Sequence, residues 1–360
     1  MLCKVANNRH SHIISCISAW RQGRRGYILL DLAQYNLRDL LRNQPQPKAT
    51  REFCVWLLKQ IGGLADAVDL IHNQSTTVNG ATTLQPTAPM QGYHHDLKPE
   101  NMLVCYTQRP KDVVAYDAQQ PYITGDIKIA DFGAGKMNKT REEAPDRSHQ
   151  SERGNRTPTY ESPDSFYGNG FGRAADMWAF GCVILELLQW VFTKQPEKGE
   201  KSMRSQLAAP VNSDQTIVFD RFWEIRDVDG TRVPVLKEIV KKWIGLLKKA
   251  CRMEFSDVLE LAQKLLEPSK AMRMTSKDLA PQLKDILASA ERRLNDNPDC
   301  FANNIESSPR NMLVIPGLPP GATISSTGMV KETERKEELA NKEISFIVPS
   351  LPKSRNNQKK

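Results

Sequence analysis

Between positions 93 and 104 the chain reads Tyr-His-His-Asp-Leu-Lys-Pro-Glu-Asn-Met-Leu-Val, and no other stretch limits its possible folds as tightly. An acid (Asp96), a cation (Lys98) and an amide (Asn101) stand within one short loop. A helical pattern precedes the loop and residues 102–105 read as a short buried strand behind it, so the polar groups are held between two anchored elements. Phosphoryl transfer calls for such a set. Asp96 can orient an attacking hydroxyl and accept its proton, Lys98 can neutralise charge on the transferred group, and Asn101 can hold a metal ion beside it.

The elements around the loop follow from periodicity. Residues 13–20 and 27–32 are rich in Ile, Leu, Tyr and Trp, and the basic, glycine-containing residues 21–26 between them predict a hairpin. Asn36 is placed to cap a short helix through Leu37, Leu40 and Leu41, which the prolines at 45 and 47 stop. From about 50 to 73 the residues Phe53, Trp56, Leu57, Leu64, Val68 and Ile71 recur at helical spacing and predict a long amphipathic helix. Residues 73–91 and about 107–125 read as exposed insertions, and residues 127–130 as the antiparallel partner of the strand after the loop. Residues 174–192 are almost continuously apolar around Asp176 and Glu186, which predicts a helix buried on most sides. Residues 194–230 read as irregular and charged, while 234–250, 255–266 and 275–294 read as helical. From 295 onward Pro, Ser, Asn, Lys and Glu dominate and predict a disordered basic tail, with residues 344–348 as an apolar island.

Further motifs keep a fixed order. Asp131-Phe132-Gly133 directly follows the second strand, so a second carboxylate can converge with Asn101 where a polyphosphate and its ions would sit. Thr157-Pro158-Thr159-Tyr160-Glu161-Ser162-Pro163-Asp164 comes next, then Asp176-Met177-Trp178-Ala179-Phe180-Gly181, and last a segment ending in Arg273. In this order, over about residues 5–290, they resemble the eukaryotic protein kinases, and Asp96-Leu97-Lys98-Pro99-Glu100-Asn101 is similar to the serine/threonine branch. The loop, the Pro158-Thr159-Tyr160 segment and the long linker after the buried helix are also similar to a group of fungal kinase-like domains.

The resemblance implies an α+β fold with a mainly helical large lobe: a remnant of the small lobe over 1–35, the large lobe over 36–294 and the tail over 295–360. It implies ATP and two Mg2+ ions, with Asn101 and Asp131 as metal ligands, Asp96 as base, Lys98 as electrostatic stabiliser and Thr157 shaping the acceptor site. Leu30, Asp31 and Ala33 correspond to the gatekeeper and hinge, with the Asp31 carbonyl and Ala33 backbone toward adenine and Leu103 beneath it. Asp164 is expected to pair with Arg273, although the stretch from Pro268 to Arg273 is about two residues longer than the family's. A packed column of Val5, Cys16, His94 and Phe132 is expected to stand on Asp176.

The sequence also departs from the family. Counting back from His10-Ser11-His12-Ile13, the family's pairing glutamate falls on Met1, so the glycine-rich loop and the strand lysine have no counterpart and transfer by the chain as written is expected to be crippled. His95 stands where the family has an arginine that pairs with a phosphate, and an imidazole is a weaker, pH-dependent partner. Activation is therefore expected not to require phosphorylation at Thr140, Ser148 or Ser151. The competing expectation, from the missing strands, is a catalytically inactive scaffold that binds a partner through its helical lobe.

Composition bounds the setting. With 360 residues, 39% of them hydrophobic, the chain can bury a sizeable core. Its seven cysteines are odd in number, scattered and never in Cys-x-x-Cys spacing, which argues for a reduced intracellular protein, cytoplasmic or nuclear. The formal charge of +8 is dispersed and not interleaved with aromatics, and no run of about 18 apolar residues occurs. A protein substrate is expected, and neither nucleic acid nor membrane; the oligomeric state is left open.

Overall fold

Two long helices bracket the core, and each is specified by its own sequence. The computed structural model describes residues 10–44, 46–47, 50–73, 90–106, 125–139, 158–168, 172–193, 203–208, 220–251 and 253–297. In chain order these hold strands β1 (Cys16–Gln22), β2 (Arg25–Leu30) and β3 (Tyr35–Asn36), helices α1 (Leu37–Asn43) and α2 (Arg51–His72), strands β4 (Met90–Tyr93), β5 (Met102–Tyr106), β6 (Gly125–Ile129) and β7 (Lys136–Lys139), helices α3 (Arg173–Phe192) and α4 (Met203–Leu207), the hairpin β8 (Trp223–Val228) and β9 (Thr231–Leu236), and helices α5 (Glu238–Ala250), α6 (Glu254–Leu265) and α7 (Ser276–Asp296). This is the mainly helical α+β architecture that the motifs imply. Val5, Thr140, Ser148, Ser151, Thr157 and the tail from 298 lie outside the described residues, as do most of the two insertions.

Capping fixes the helix starts. The Asn36 side chain accepts from the Asp39 N–H at 2.9 Å and opens α1, and the Thr50 hydroxyl accepts from the Phe53 N–H at 3.2 Å and opens α2. Along α2 the residues Phe53, Leu57, Ile61, Leu64, Val68 and Ile71 are all buried, a stripe that packs against α7. In α3 the apolar character runs all round the helix, and its residues from Asp176 to Leu188 are buried without a break. It is the one described helix long and apolar enough to cross a membrane, and here it is the core helix.

Gly181 lets α6 approach α3 closely. A Cβ there would lie 2.8 Å from Leu265 Cβ, an atom fixed to its own backbone. Gly181→Ala is therefore expected to cost about 1–3 kcal/mol through overpacking despite the better helix propensity of alanine. A urea midpoint equal to or above the parent's would contradict this.

Several stretches differ from the sequence reading. Residues 194–230 are not irregular throughout, because α4 and β8 lie within them, and residues 234–236 belong to β9 and not to the helix that follows. The cause is Asp229-Gly230, where positive φ values of 52° and 78° make the two-residue turn that closes an antiparallel hairpin. Pro234 pairs opposite Ile225 on a strand with one neighbour, where its missing N–H is tolerated. The first hairpin is shifted toward its turn, its strands starting at Cys16 and ending at Leu30 but continuing to Gln22 and Arg25 around Gly23 at φ 61°. Strands β4 and β7 have no counterpart in the sequence reading, and they matter most for the site.

Candidate active site

Two antiparallel ladders bring the distant motifs together. Tyr93 pairs with Lys136 at the end of β4–β7, and Met102 pairs with Ile129 in β5–β6. The loop over 94–101 and the loop over 130–135 are thus closed against each other at both ends. Backbone bonds bind them in between: Ala130 N–H donates to Asn101 O at 2.9 Å, and His94 Nε2 donates to Ala130 O at 2.9 Å. Asp96 and Asp131, 35 positions apart, therefore stand in facing loops.

Within the first loop the three expected groups meet. Lys98 Nζ lies 2.7 Å from Asp96 Oδ2, and Asn101 Nδ2 donates to both Asp96 O and Asp96 Oδ2 at 2.9 Å. The one-turn 3-10 segment Pro99–Asn101 folds the amide back onto the acid, and proline at its first position sets the needed φ. With both amide hydrogens directed at Asp96, the Asn101 side-chain oxygen remains for a ligand. Asp131 holds φ at 58°, a left-handed conformation that non-glycine residues avoid, and its exposed carboxylate accepts a single bond among the described residues, from Gly133 N–H at 3.3 Å. An amide oxygen and a carboxylate oxygen are the hard donors that Mg2+ takes, so the residues fit the ion.

Asp176 anchors the first loop from below. Its Oδ2 accepts from His94 N–H at 2.7 Å and lies 3.0 Å from His72 Nε2, while its Oδ1 accepts from His95 N–H at 2.7 Å. Those bonds hold His95 at φ 78°. They also keep the Asp176 carboxyl below its usual range, although complete burial alone would push it up. His72 ends α2 as its position implies, yet it is buried, with Nδ1 3.1 Å from Ser276 Oγ. His94 is packed: its ring is buried and meets Phe132 edge-on at 4.9 Å, two members of the expected column. Cys16, a third, is half-buried at the start of β1.

The buried histidines predict the pH response of the fold. Burial holds His94 below the usual 6.5, outweighing the carboxylates of Asp176, Asp96 and Asp131, and His12 is lowered for the same reason. A depressed folded pKa adds stability above the unfolded value and loses it as the pH falls, because the unfolded chain then binds more protons. The urea midpoint is expected to be flat from pH 8 to 7 and to drop from about pH 6.5 downward. His94→Gln, which keeps a donor toward Ala130 O, is expected to remove part of that slope. An unchanged slope would assign the titration elsewhere.

The residues expected around adenine are ordered by β2, β3 and β5. Leu30, Ala33 and Leu103 are partly buried against the core. The Asp31 side chain is turned to Lys128, whose Nζ lies 2.8 Å from its Oδ2, and that ammonium outweighs partial burial to keep the carboxyl low. The sequence reading had no partner for Asp31.

A buried polar network beneath the first loop is also new. Arg38 Nε reaches Glu100 Oε1 at 3.0 Å, its Nη1 lies 2.9 Å from Glu186 Oε2, and its Nη2 bonds the Tyr160 hydroxyl. Tyr160 in turn donates to Glu186 Oε1 at 3.0 Å. A carboxylate in the middle of an apolar helix needs a cation, and Glu186 could have announced Arg38 on that ground. The network ties α1, α3, the catalytic-type loop and the 158–160 turn together.

The same order of motifs is found in known proteins. A family model described as the protein kinase domain matches residues 2–283. Cyclin-dependent kinase-like 5 of Mus musculus is 22% identical over 273 residues, 74% of this chain and 23% of that protein. Serine/threonine-protein kinase PLK4 of Drosophila virilis is 24% identical over 221 residues, covering 61% of the chain and 22% of the relative. A dual specificity protein kinase YAK1 homolog of Arabidopsis thaliana is 35% identical over 94 residues, 26% of the chain and 7% of the relative. The chain thus spans about a quarter or less of the length of these relatives. Since the matched region includes both facing loops, the Asp176 anchor and the Asp164–Arg273 pair, the chain belongs to the protein kinase domain family.

Proposed function

We propose that this chain transfers the γ-phosphoryl group of ATP to serine or threonine hydroxyls of protein substrates. The closure of the 94–101 loop onto the 130–135 loop by two flanking ladders carries the reading, because it gathers acid, cation, amide and second acid on one side. Asp96 orients the acceptor hydroxyl and takes its proton at Oδ2, the oxygen that Lys98 and Asn101 hold in place. Lys98 moves its charge toward the transferred group as the proton arrives at Asp96. Asn101 and Asp131 would hold Mg2+, whose charge would offset the charge developing on the phosphates. Leu30, Ala33 and Leu103 flank the adenine with the Asp31 carbonyl, and Thr157 shapes the acceptor site. The family uses ATP, Mg2+ and protein substrates generally, and the serine/threonine preference is supported by the Lys98-Pro99-Glu100 form of the loop and by the relative named as a serine/threonine-protein kinase, PLK4 of Drosophila virilis. An intracellular setting fits the scattered spacing of the seven cysteines, none of them in Cys-x-x-Cys order.

Thermal unfolding with and without MgATP tests the reading directly. At 100 times the dissociation constant, binding is expected to stabilise the fold by about 2.7 kcal/mol, visible as a rise in midpoint, and Asp131→Asn is expected to reduce that rise. No shift in either protein at millimolar MgATP would overturn the reading in favour of a partner-binding module.

A further inference from the structure

Beside the catalytic-type loop lies a cavity of about 410 Å³ whose walls include Arg38, Arg42, Glu186, Arg204 and Asp220. Its acid Glu186 and the adjoining Glu100 each meet arginine, while Glu100 Oε2 is buried with no hydrogen-bond partner among the described residues. Both oxygens of Glu186 face groups of this chain, Arg38 and Tyr160, and Glu100 Oε1 is shared by Arg38 at 3.0 Å and Arg204 at 3.3 Å. Asp220 accepts the Thr159 hydroxyl. The arginines are less completely used. Arg204 makes only long bonds: beside the 3.3 Å contact with Glu100, 3.4 Å to the Tyr160 hydroxyl and 3.4 Å to Thr159 Oγ1. Arg42 is exposed in the last turn of α1 and forms no ion pair among the described residues. It stands one helical turn beyond Arg38 on the same face, a like-charge spacing that favours an anion between the two.

The cavity is also close to the reaction centre. Glu100 follows Asp96 by four residues, at most about 14 Å even if extended, and the 3-10 turn shortens the span. An acceptor segment lying extended across the loop covers that distance in about four residues.

We propose that this cavity selects acceptor segments by an anionic side chain a few residues from the acceptor hydroxyl, a carboxylate or a phosphorylated residue held by Arg42 and Arg204. Arg38 pairs with one oxygen of Glu100 and one of Glu186, so a basic side chain would have to compete with it for these acids. The placement of the acceptor rests on the phosphotransfer reading above, but the charge preference can be measured as binding alone.

Three fluorescent peptides, each centred on one serine and flanked on both sides by aspartate, phosphoserine or arginine, are titrated with the 360-residue chain and followed by anisotropy. The two anionic peptides are expected to bind about tenfold or more tighter than the arginine peptide. Arg42→Glu, at an exposed position, is expected to abolish that preference with the melting midpoint unchanged, and Arg204→Gln to weaken it. Arg38→Met, if it folds, is expected to gain affinity for the arginine peptide. Tighter binding of phosphoserine than aspartate identifies a phosphoester as the occupant, and equal binding shows that a carboxylate suffices. An arginine peptide that binds as well as the anionic ones, or an Arg42→Glu chain that binds like the parent, overturns the proposal. Labelled ATP separates the two claims: anionic peptides bound but never phosphorylated leave the cavity assignment standing and sink phosphotransfer, while equal phosphorylation and binding of all three do the reverse.

Discussion

Replacing Asp96 with asparagine is expected to lower the rate of peptide phosphorylation by about 10²–10⁴-fold, with the apparent affinity for MgATP changed only a few-fold. The asymmetry follows from where Asp96 points. Its Oδ2 is bonded to Lys98 and Asn101, groups of the acceptor side, while the ion-binding carboxylate proposed for nucleotide is Asp131 in the facing loop. Asparagine keeps the size of the side chain and an oxygen for Lys98, so the loop should stay in place. It cannot take a proton. The Asp96–Lys98 pair is only partly buried, with side-chain exposures of 20% and 15%, and an ion pair so near the surface contributes at most about 1 kcal/mol, so the melting midpoint should hardly move. Steady-state rates at saturating MgATP, read beside thermal unfolding of the same preparation, check both halves. A fall in midpoint of many degrees would mean that Asp96 acts in the fold, and an unchanged rate would remove it from the reaction.

What the sequence revealed and what it hid divide along a physical line. Local signals were legible: the caps at Asn36 and Thr50, the apolar stripe of α2 and the continuous burial of α3 are written in neighbouring residues. So was the gathering of Asp96, Lys98 and Asn101, since one loop holds them all. Strands β4 and β7 were not, because a ladder of two short segments more than 40 positions apart leaves no period in either. The β8–β9 hairpin did leave a mark, the Asp229-Gly230 turn, and reading Pro234 as the start of a helix concealed it. The Arg38 network was hidden for another reason. A single polar residue on a short helix has no pattern, and only the need of buried Glu186 for a cation gives it away.

The largest loss of stability is expected from Arg273→Leu, about 3–5 kcal/mol, because the change strands a buried charge and several carbonyls together. All five N–H donors of this guanidinium are used. Nη1 and Nη2 grip Asp164 at 2.8 and 3.1 Å, Nε donates to Glu267 O at 2.9 Å, and the remaining two reach Ala174 O at 2.8 Å and Pro268 O at 3.1 Å. The group also lies 5.3 Å from the centre of the Trp178 ring. The long approach from Pro268 does not displace it. The extra residues form a turn in which Arg273 N–H bonds Ser269 O at 3.0 Å and Met272 is left 75% exposed, returning the side chain to Asp164. Without the arginine, Asp164 keeps one side-chain donor among the described residues, the Ser162 hydroxyl at 3.1 Å. Lysine should rescue little, since three donors from one nitrogen cannot match a planar fork. Adding Asp164→Asn to Arg273→Leu should recover part of the loss, because the stranded charge goes while the unsatisfied carbonyls stay. A double-mutant cycle of urea midpoints measures this, and strict additivity of the two changes would show that the pair carries no coupling between the 158–168 turns and the segment leading into α7.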